Sequence, residues 1–331
     1  MSRRRLALNA AGFVVAAVVV AFLPRFISSY HALEWANVGT YFTALLGLNV
    51  LTGYSGQISL GHGAFMAIGG YTSAILIAHH GVRDVWTIPL AGLVAGGVGL
   101  AFGLPALRLR GFYLALATFG VAVAFPALVQ KFDHFTGGSV GLPLTLHSND
   151  WLYYLTWAIA GAGLLLGRLV LATPIGRAFR ALRDSEVAAV SSGISPALYK
   201  TLAFGISSFY AGVAGGLYSA LLNFVAPEGY DLFQMIIQKS TIVVGGMGSI
   251  AGSVIGASII ILVLELLREV KGMQEIAFGA LLVGFVLFMR GGLIAVLRRY
   301  IRGWEEPLRM TPGDQAKALP QSEPQPRAAD K

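Results

Sequence analysis

The sequence lacks cysteine altogether and has few charged residues. Without cysteine, the chain cannot form a disulfide framework, a thiolate metal site or a cysteine nucleophile. Charged residues make up 12% of the 331 residues, whereas a soluble domain has about 25%. Hydrophobic residues make up 56%, and the mean hydropathy is +0.70. The composition therefore excludes an ordinary soluble domain and predicts a chain that is solvated mostly by lipid.

Motifs for catalysis are missing as well. The sequence contains no G-x-x-x-x-G-K-[ST] phosphate-binding loop and no H-E-x-x-H metal motif. We therefore predict that the chain is not an enzyme and binds no cofactor and no metal, so that any ATP must be handled by a partner. Proton- or sodium-coupled transporters usually keep a carboxylate at membrane depth. Here the Asp and Glu residues fall in loops, tails or span ends, which makes an ion-coupled secondary transporter the less favoured alternative.

Ten apolar runs are long enough, or nearly so, to cross a bilayer, which takes about 20 residues. They lie at 6–24, 34–52, 62–79, 86–107, 112–130, 151–172, 199–222, 233–248, 250–268 and 275–290. The third and the eighth are marginal. The sequence therefore predicts an all-α integral membrane protein with about ten transmembrane helices, some of them short or broken, in a single polytopic domain over residues 1–302.

The basic residues predict how these spans are oriented. The net charge is +8, but Arg and Lys cluster at the ends of apolar runs, so nucleic-acid binding is not expected. With ten spans and a cytoplasmic N-terminus, the inside loops carry most of these charges, as the positive-inside rule requires. Both termini are then cytoplasmic. The run 6–24 is interpreted as an uncleaved first span, and the tail 303–331, rich in Pro, Gln and charge, is predicted to be disordered.

Glycine is abundant, with 42 residues, and small residues allow helices to pack closely in membranes. The small-x-x-x-small spacing at Gly248, Gly252 and Gly256 predicts a helix contact. The pair Gly212 and Gly216 predicts a second one.

Two glycine-rich segments resemble each other. GYSGQI at 53–58 and GGMGSI at 245–250 share the pattern G-x-x-G-x-I, a weak sign of duplicated halves. Lys239 precedes the second segment inside the marginal eighth span, where a cation is costly in lipid. We interpret it as snorkelling to the interface or pairing with Asp231, with a position on a path across the membrane as the remaining alternative.

The third span opens with polar residues that a lipid-facing helix would not contain. The stretch LTGYSGQISLGHGAFMAIGGYTSAIL runs from Leu51 to Leu76. Polar or irregular backbone at membrane depth is tolerated where it lines a cavity or is buried in protein. The residues concerned are Gly53, Ser55, Gly56, Gln57, Ser59 and His62. We expect this broken segment (residues 53–63) either to line the translocation path or to form a packed hinge.

Residues 173–198 form the longest inside loop, between the sixth and seventh spans. Thr173-Pro174 offers a helix start, and Asp184 can cap a second short helix. Gly193 suits the left-handed position after a helix. The first helix has a basic edge made of Arg177, Arg180 and Arg183. Two short helices of this kind suit docking in a groove of another protein or lying on lipid headgroups, and spacing alone leaves both open.

A resemblance to a known protein family favours docking on another protein over lying on lipid headgroups. GRAFRALRDSEVAAVSSGISPALYKTLAF, from Gly176 to Phe204, resembles the cytoplasmic coupling loop of bacterial branched-chain amino-acid ABC permeases. The importer pattern E-x-A-A-x-x-x-G-I falls on Glu186, Ala188, Ala189, Gly193 and Ile194. We therefore name residues 173–198 the coupling loop. The stretch at 53–76 is similar to the larger permease subunit of that family, the LivM type. The likeness runs from about residue 36 to residue 289.

The resemblance implies a multi-pass subunit of the bacterial inner membrane that forms part of the path for branched-chain amino acids. It also implies partners: a second permease of a different chain (LivH type), two cytoplasmic ABC ATPases and an external solute-binding protein, all within membrane lipid. The coupling loop, including Asp184, would follow the closure of the ATPases and move the sixth and seventh spans. Related permeases for urea, short amides or aromatic acids are the alternative within transport.

Overall fold

The computed structural model describes residues 18, 20–106, 109, 111–144, 148–268, 274–288 and 292–294. Most of the predicted first span, 6–24, and the whole tail 303–331 lie outside the described residues. Within them the fold is almost entirely helical, as predicted, with one pair of two-residue strands.

The helices are α1 Ser29–Leu48, α2 His62–His80, α3 Asp84–Ala106, α4 Phe112–Lys131, α5 Asp133–Thr136, α6 Asn149–Ala172, α7 Pro174–Asp184, α8 Glu186–Ser191, α9 Pro196–Leu222, α10 Leu232–Gly245, α11 Ile250–Arg268 and α12 Gln274–Phe288. A π-helical turn, Asn49–Tyr54, follows α1, and short 3₁₀ turns lie at Leu23–Arg25 and Pro227–Tyr230. The strands are β1 Leu142–Pro143 and β2 Phe224–Val225.

Among the described residues, a helix covers most of each of the nine predicted runs from 34–52 to 275–290. Five of these helices, α3, α4, α6, α9 and α11, are long and apolar enough over most of their length to cross a membrane. Helices α1, α2, α10 and α12 are shorter or more polar. The chain is therefore a multi-pass helical protein in which roughly half of the predicted runs carry a strong spanning signal on their own.

Helix α9 is the centre of the bundle. Pro196 occupies its first turn after Ser195, as Ser195-Pro196 predicts. Its apolar stretch is 83% buried, whereas that of α6 is only 22% buried. Helices α1, α2 and α3 all pack on α9, so α9 is enclosed by protein while α4 and α6 lie at the periphery.

Glycine makes this central packing possible. A Cβ at Gly215 would overlap the carbonyl oxygen of Met66 on α2, and one at Gly69 would overlap the backbone of Gly212. The two helices therefore approach at backbone distance, the arrangement that small residues allow in membranes. Gly212 also faces α3, where an added Cβ would lie 2.6 Å from the Ala91 carbonyl oxygen.

The end of the bundle near the C-terminus of α9 is held by a small sheet. Strand β1 pairs antiparallel with β2, with Leu142 opposite Val225. The Leu144 amide donates to the Asn223 carbonyl at 2.9 Å. Asn223 ends α9 in a left-handed conformation with φ of 53°. The long loop after α4 is thereby fastened to the end of the central helix.

Gly215→Ala should destabilise the protein, because its Cβ would displace the Met66 carbonyl. Overpacking of this kind costs about 1–3 kcal/mol. Gly97→Ala on α3 is the matched control, since nothing lies within 4 Å of an added Cβ there, and alanine raises helix propensity by up to about 1 kcal/mol. Thermal unfolding of the detergent-solubilised protein measures both. Equal melting temperatures for the two variants would contradict the close contact of α2 and α9.

Candidate functional site: the broken segment and the coupling loop

The broken segment begins with a change of helix type. After α1 the chain widens into the π turn, in which the Ser55 amide donates to the Val50 carbonyl at 3.0 Å. Gly56 then takes a φ of +72°, which glycine adopts readily. Helical structure resumes at His62. Isolated π turns occur frequently at functional sites, so the predicted break is present and has a defined geometry.

Asn49 holds the π turn against the second glycine segment. Its Oδ1 accepts from the Gly248 amide at 2.8 Å, and its Nδ2 donates to the Ser249 carbonyl at 2.8 Å and to Ser253 Oγ at 3.1 Å. Asn49 is 1% exposed, so these hydrogen bonds are made away from solvent. A Cβ at Gly53 would lie 2.6 Å from the Gly248 nitrogen. The two segments that share G-x-x-G-x-I therefore touch each other.

The coupling loop forms the two predicted helices, with one correction. Helix α7 starts at Pro174 and buries Phe179 and Leu182. Gly193 has the predicted left-handed conformation, with φ of +80°. The cap of α8, however, is Ser185 rather than Asp184: Ser185 Oγ accepts from the Ala188 amide at 3.3 Å.

Asp184 does not cap α8 because its carboxylate is engaged by Arg183. Its Oδ1 accepts from Arg183 Nε at 2.9 Å and from Nη2 at 2.8 Å. This paired geometry orients the guanidinium, which leaves Nη1 to donate to the Gly53 carbonyl at 3.2 Å. A Cβ at Gly56 would lie 2.8 Å from Arg183 Cγ. The end of α7 is thus seated directly on the broken segment.

A second set of contacts joins the same elements from the side of α9. Gln57 Nε2 donates to the Lys200 carbonyl at 3.2 Å and to Ser55 Oγ at 2.7 Å. Lys200 Nζ and Glu186 Oε2 form an ion pair at 2.7 Å. The broken segment is therefore held between α7 and the start of α9. Sequence reasoning expected the loop to act mainly on the sixth and seventh spans and missed this direct contact.

A cavity of about 170 Å³ opens between these elements. The residues that line it include Ser55, Gly56, Gln57, Arg183, Glu186 and Lys200. The remaining two polar residues of the broken segment lie elsewhere. Ser59 Oγ accepts from the Gly61 amide at 3.3 Å. His62 contacts the Ala44 carbonyl through Nε2 at 3.0 Å and Ser207 Oγ through Nδ1 at 3.4 Å.

The hydrogen-bond partners and the surroundings differ along the broken segment. The carbonyl at Ala44 can only accept, so His62 Nε2 is the donor and Nδ1 accepts from Ser207. Ser59 and His62 are 1% and 3% exposed, and each has a hydrogen-bond partner within the protein. Ser55, Gly56 and Gln57 instead line the cavity.

The outer surface of the coupling loop is apolar at α8 and basic at α7. Val187 is 78% exposed and Val190 is 53% exposed, and Ala188 and Gly193 lie beside them on the surface. Arg177 is exposed, and Arg180 Nη2 reaches back to the Leu171 carbonyl at 3.5 Å.

The inner side of α8 is fixed to the loop. Ala189 is 3% exposed, and its carbonyl accepts from the Ile194 amide at 3.0 Å.

The predicted glycine contacts are present at Gly252 and Gly256 but not at Gly248. Added Cβ atoms at Gly252 and Gly256 would lie 2.6 Å from the Gly245 oxygen and 2.5 Å from the Thr241 oxygen on α10. Gly248 instead lies in the turn before α11 with φ of +78°, where its amide donates to Asn49 Oδ1. On α9, Gly212 is in a tight contact, and a Cβ at Gly216 would meet Ile88 at an ordinary 3.4 Å.

The interpretation of Lys239 as a partner of Asp231 is wrong. Asp231 caps α10, and its Oδ1 accepts from the Gln234 amide at 3.0 Å. The ammonium of Lys239 is enclosed by protein, so it does not snorkel, and it has no hydrogen-bond partner among the described residues. Within that same part of the chain, no group of three His, Asp or Glu side chains could hold a metal ion.

Comparison with known proteins identifies the class. The family model described as "Branched-chain amino acid transport system / permease component" matches residues 32–290. The chain belongs to this family of transport permeases.

Individual relatives agree with the family. The high-affinity branched-chain amino acid transport system permease protein LivM of Escherichia coli (strain K12) is 32% identical over 324 residues, which cover 88% of this chain and 76% of LivM. A probable LivM of Methanocaldococcus jannaschii is 24% identical over 315 residues, covering 80% and 89%. A LivH permease of Salmonella typhimurium is 26% identical over 284 residues, covering 77% and 91%. No solved structure matches. The resemblance to the LivM type is therefore confirmed.

Asn49→Ala should destabilise the protein by about 1–3 kcal/mol, because the buried Gly248 amide loses the side-chain oxygen that accepts from it. Thr52→Val in the same π turn is the matched control, since the Thr52 hydroxyl has no partner among the described residues. It should be neutral or stabilising. Thermal unfolding in detergent compares the two, and an Asn49→Ala melting temperature equal to that of Thr52→Val would refute the role of Asn49.

Proposed function

We propose that the chain is the LivM-type membrane subunit of an ABC importer for branched-chain amino acids, and that its coupling loop receives the movement of partner ATPases. The membership of the permease family, supported by LivM over 88% of the chain, is the observation that carries this proposal. The geometry of the loop supports it, because α7 and α8 are ordered helices whose inner sides are fixed to the bundle and whose outer side is free for a partner.

The proposed mechanism begins at the exposed surface of α8. Val187 and Val190 offer apolar contact to an ATPase groove, in the manner of helix-in-groove recognition. A displacement of the loop would reach the broken segment through Arg183 and Gly53, and α9 through Glu186 and Lys200. The polar residues of the broken segment would then move with the loop, and the helices α1 and α2 that flank it would follow as rigid bodies.

We further propose ten spans with both termini and the coupling loop in the cytoplasm. The distribution of Arg and Lys between the loops supports this orientation. The first span at 6–24 and a disordered tail at 303–331 belong to the same proposal.

A complete importer would need a second permease of the LivH type, two ATPases and an external solute-binding protein. The peripheral position of α4 and α6, whose apolar stretches are 28% and 22% buried, leaves broad apolar faces for a second permease or lipid. The sheet that fastens the loop after α4 to the end of α9 lies at the opposite end of α6 from the coupling loop, which suits a firm outer rim for the binding protein.

Val187→Arg should abolish ATPase binding without unfolding the permease, since the side chain is 78% exposed. A guanidinium buried unpaired in an apolar contact is costly, so recovery of the ATPases should fall by about tenfold or more. The tagged chain is purified from mild-detergent extracts of cells that express its partner subunits, and co-purified proteins are quantified by mass spectrometry. Val187 is preferred to Glu186 because Glu186 also holds Lys200.

Val140→Arg is the control, because Val140 is 80% exposed in the loop at the opposite end of the bundle. It should retain the ATPases at wild-type level. If the wild type brings down no ATPase, or Val187→Arg retains them as well as Val140→Arg does, the coupling role of the loop is refuted and a self-sufficient transporter takes its place.

A further inference from the structure

Among the buried polar atoms that have no partner in the described residues, two come from adjacent positions of α10. They are the ammonium nitrogen of Lys239 and Oε1 of Gln238. Native proteins leave few buried polar groups unsatisfied, and each such group calls for an explanation. An ammonium at membrane depth is costlier still, and ionisable residues there generally mark a substrate or ion pathway.

Both side chains are directed at the same face of α2. Gln238 Nε2 contacts the sulfur of Met66 at 3.2 Å. Lys239 lies near enough to His62 for its charge to act on the imidazole. His62 and Met66 are four residues apart, so they lie one above the other on one side of the helix. The unpaired cation and the unpaired acceptor therefore both belong to the part of α10 that lies beside α2.

No ion pair to Lys239 is formed among the described residues. On the neighbouring helices α1 and α11, Glu34 contacts His31 and Glu265 accepts from Tyr30. The sequences of α2, α4, α9 and α10 contain no Asp or Glu, and Asp231 is occupied in the cap of α10. The nearby polar groups are occupied too. His62 hydrogen-bonds to the Ala44 carbonyl and to Ser207. Its Nδ1 accepts the hydrogen bond of the Ser207 hydroxyl, so it offers Lys239 no free acceptor.

The polar groups continue along α10 away from Lys239. Gln234, one turn before Gln238, bonds to the hydroxyl of Tyr41 on α1, and its Nε2 lies 3.4 Å from the hydroxyl of Tyr218 on α9. Helix α10 thus carries amide and ammonium groups in succession between α1, α2 and α9. A polar row through an apolar bundle has the character of a path rather than of a packing face.

We propose that Lys239 and Gln238 form a transient site for the zwitterionic head of the transported amino acid. The ammonium of Lys239 binds the α-carboxylate, and Oε1 of Gln238 accepts from the α-ammonium group. The proposal rests on the proposed function, because it takes its ligand from the substrate of the importer. A single charge pair suits a transported ligand, since a site on a path must release what it binds.

The test uses the complete transporter, with its partner subunits, reconstituted in lipid vesicles and supplied with leucine-loaded binding protein. Leucine uptake and ATP hydrolysis are measured together, per incorporated complex. Lys239→Met should lower leucine uptake per ATP hydrolysed by about tenfold or more, the loss of one charge-assisted hydrogen bond. ATP hydrolysis stimulated by the binding protein should persist, because the coupling loop is intact. Lys239→Arg should restore uptake to within about threefold, since its guanidinium also binds carboxylates.

Ile236→Met on the same helix is the control, because Ile236 is 43% exposed on the outer side of α10, and it should transport at the wild-type ratio. Wild-type uptake by Lys239→Met would refute the site and leave the proposed function standing. Loss of a permease subunit from the Lys239→Met complex, or equal loss of uptake and ATP hydrolysis, would make Lys239 a structural or subunit-pairing residue and also refute the site. A wild-type complex without leucine uptake would refute the proposed function itself.

Discussion

The hydrogen bonds of Asn49 are the interaction on which the inner half of the structure depends. In a bilayer, every backbone amide and carbonyl must find a partner within the protein, and this chain interrupts its helices twice in the same region, at the π turn and at the turn before α11. The side chain of Asn49 lies between the two interruptions. It accepts from the Gly248 amide and donates to the Ser249 carbonyl and to Ser253 Oγ. Two irregular segments that would each be unstable alone are thereby stabilised together.

The same region explains why a surface loop can act on the interior. Arg183 is oriented by Asp184 and donates to the carbonyl of Gly53, which is itself packed against Gly248. A contiguous series of polar contacts therefore runs from α7 through the π turn to the start of α11. Such contacts are short and directional, unlike apolar packing, which tolerates sliding. On the proposed mechanism, they are what would turn a shift of the coupling loop into a change at the broken segment.

Local chemistry made much of this predictable. Proline positions placed the starts of α7 and α9, Gly193 placed the end of α8, and apolar length placed α2 to α4, α6 and α11. What failed depended on contacts between distant or competing residues. Asn49 and Gly248 are 199 positions apart, and no local pattern marks an asparagine as their link. Asp184 is of a residue type that commonly caps helices, but the adjacent Arg183 binds its carboxylate. Ser185 therefore caps α8 instead. For Lys239, the sequence favours snorkelling or pairing with Asp231, whereas the fold encloses the ammonium in protein and gives Asp231 to the start of α10.

The burial of α9 has a consequence for how the protein is made. Although α9 is the longest of the five strongly apolar helices, its sequence carries Ser207, Ser208 and several glycines, groups that gain little from contact with acyl chains. Its partners α1, α2 and α3 all precede it in the chain. During synthesis, α1, α2 and α3 leave the ribosome before α9. Helix α9 can therefore pack directly on these helices rather than against lipid. The order of the helices in the chain therefore matches the order in which they can assemble.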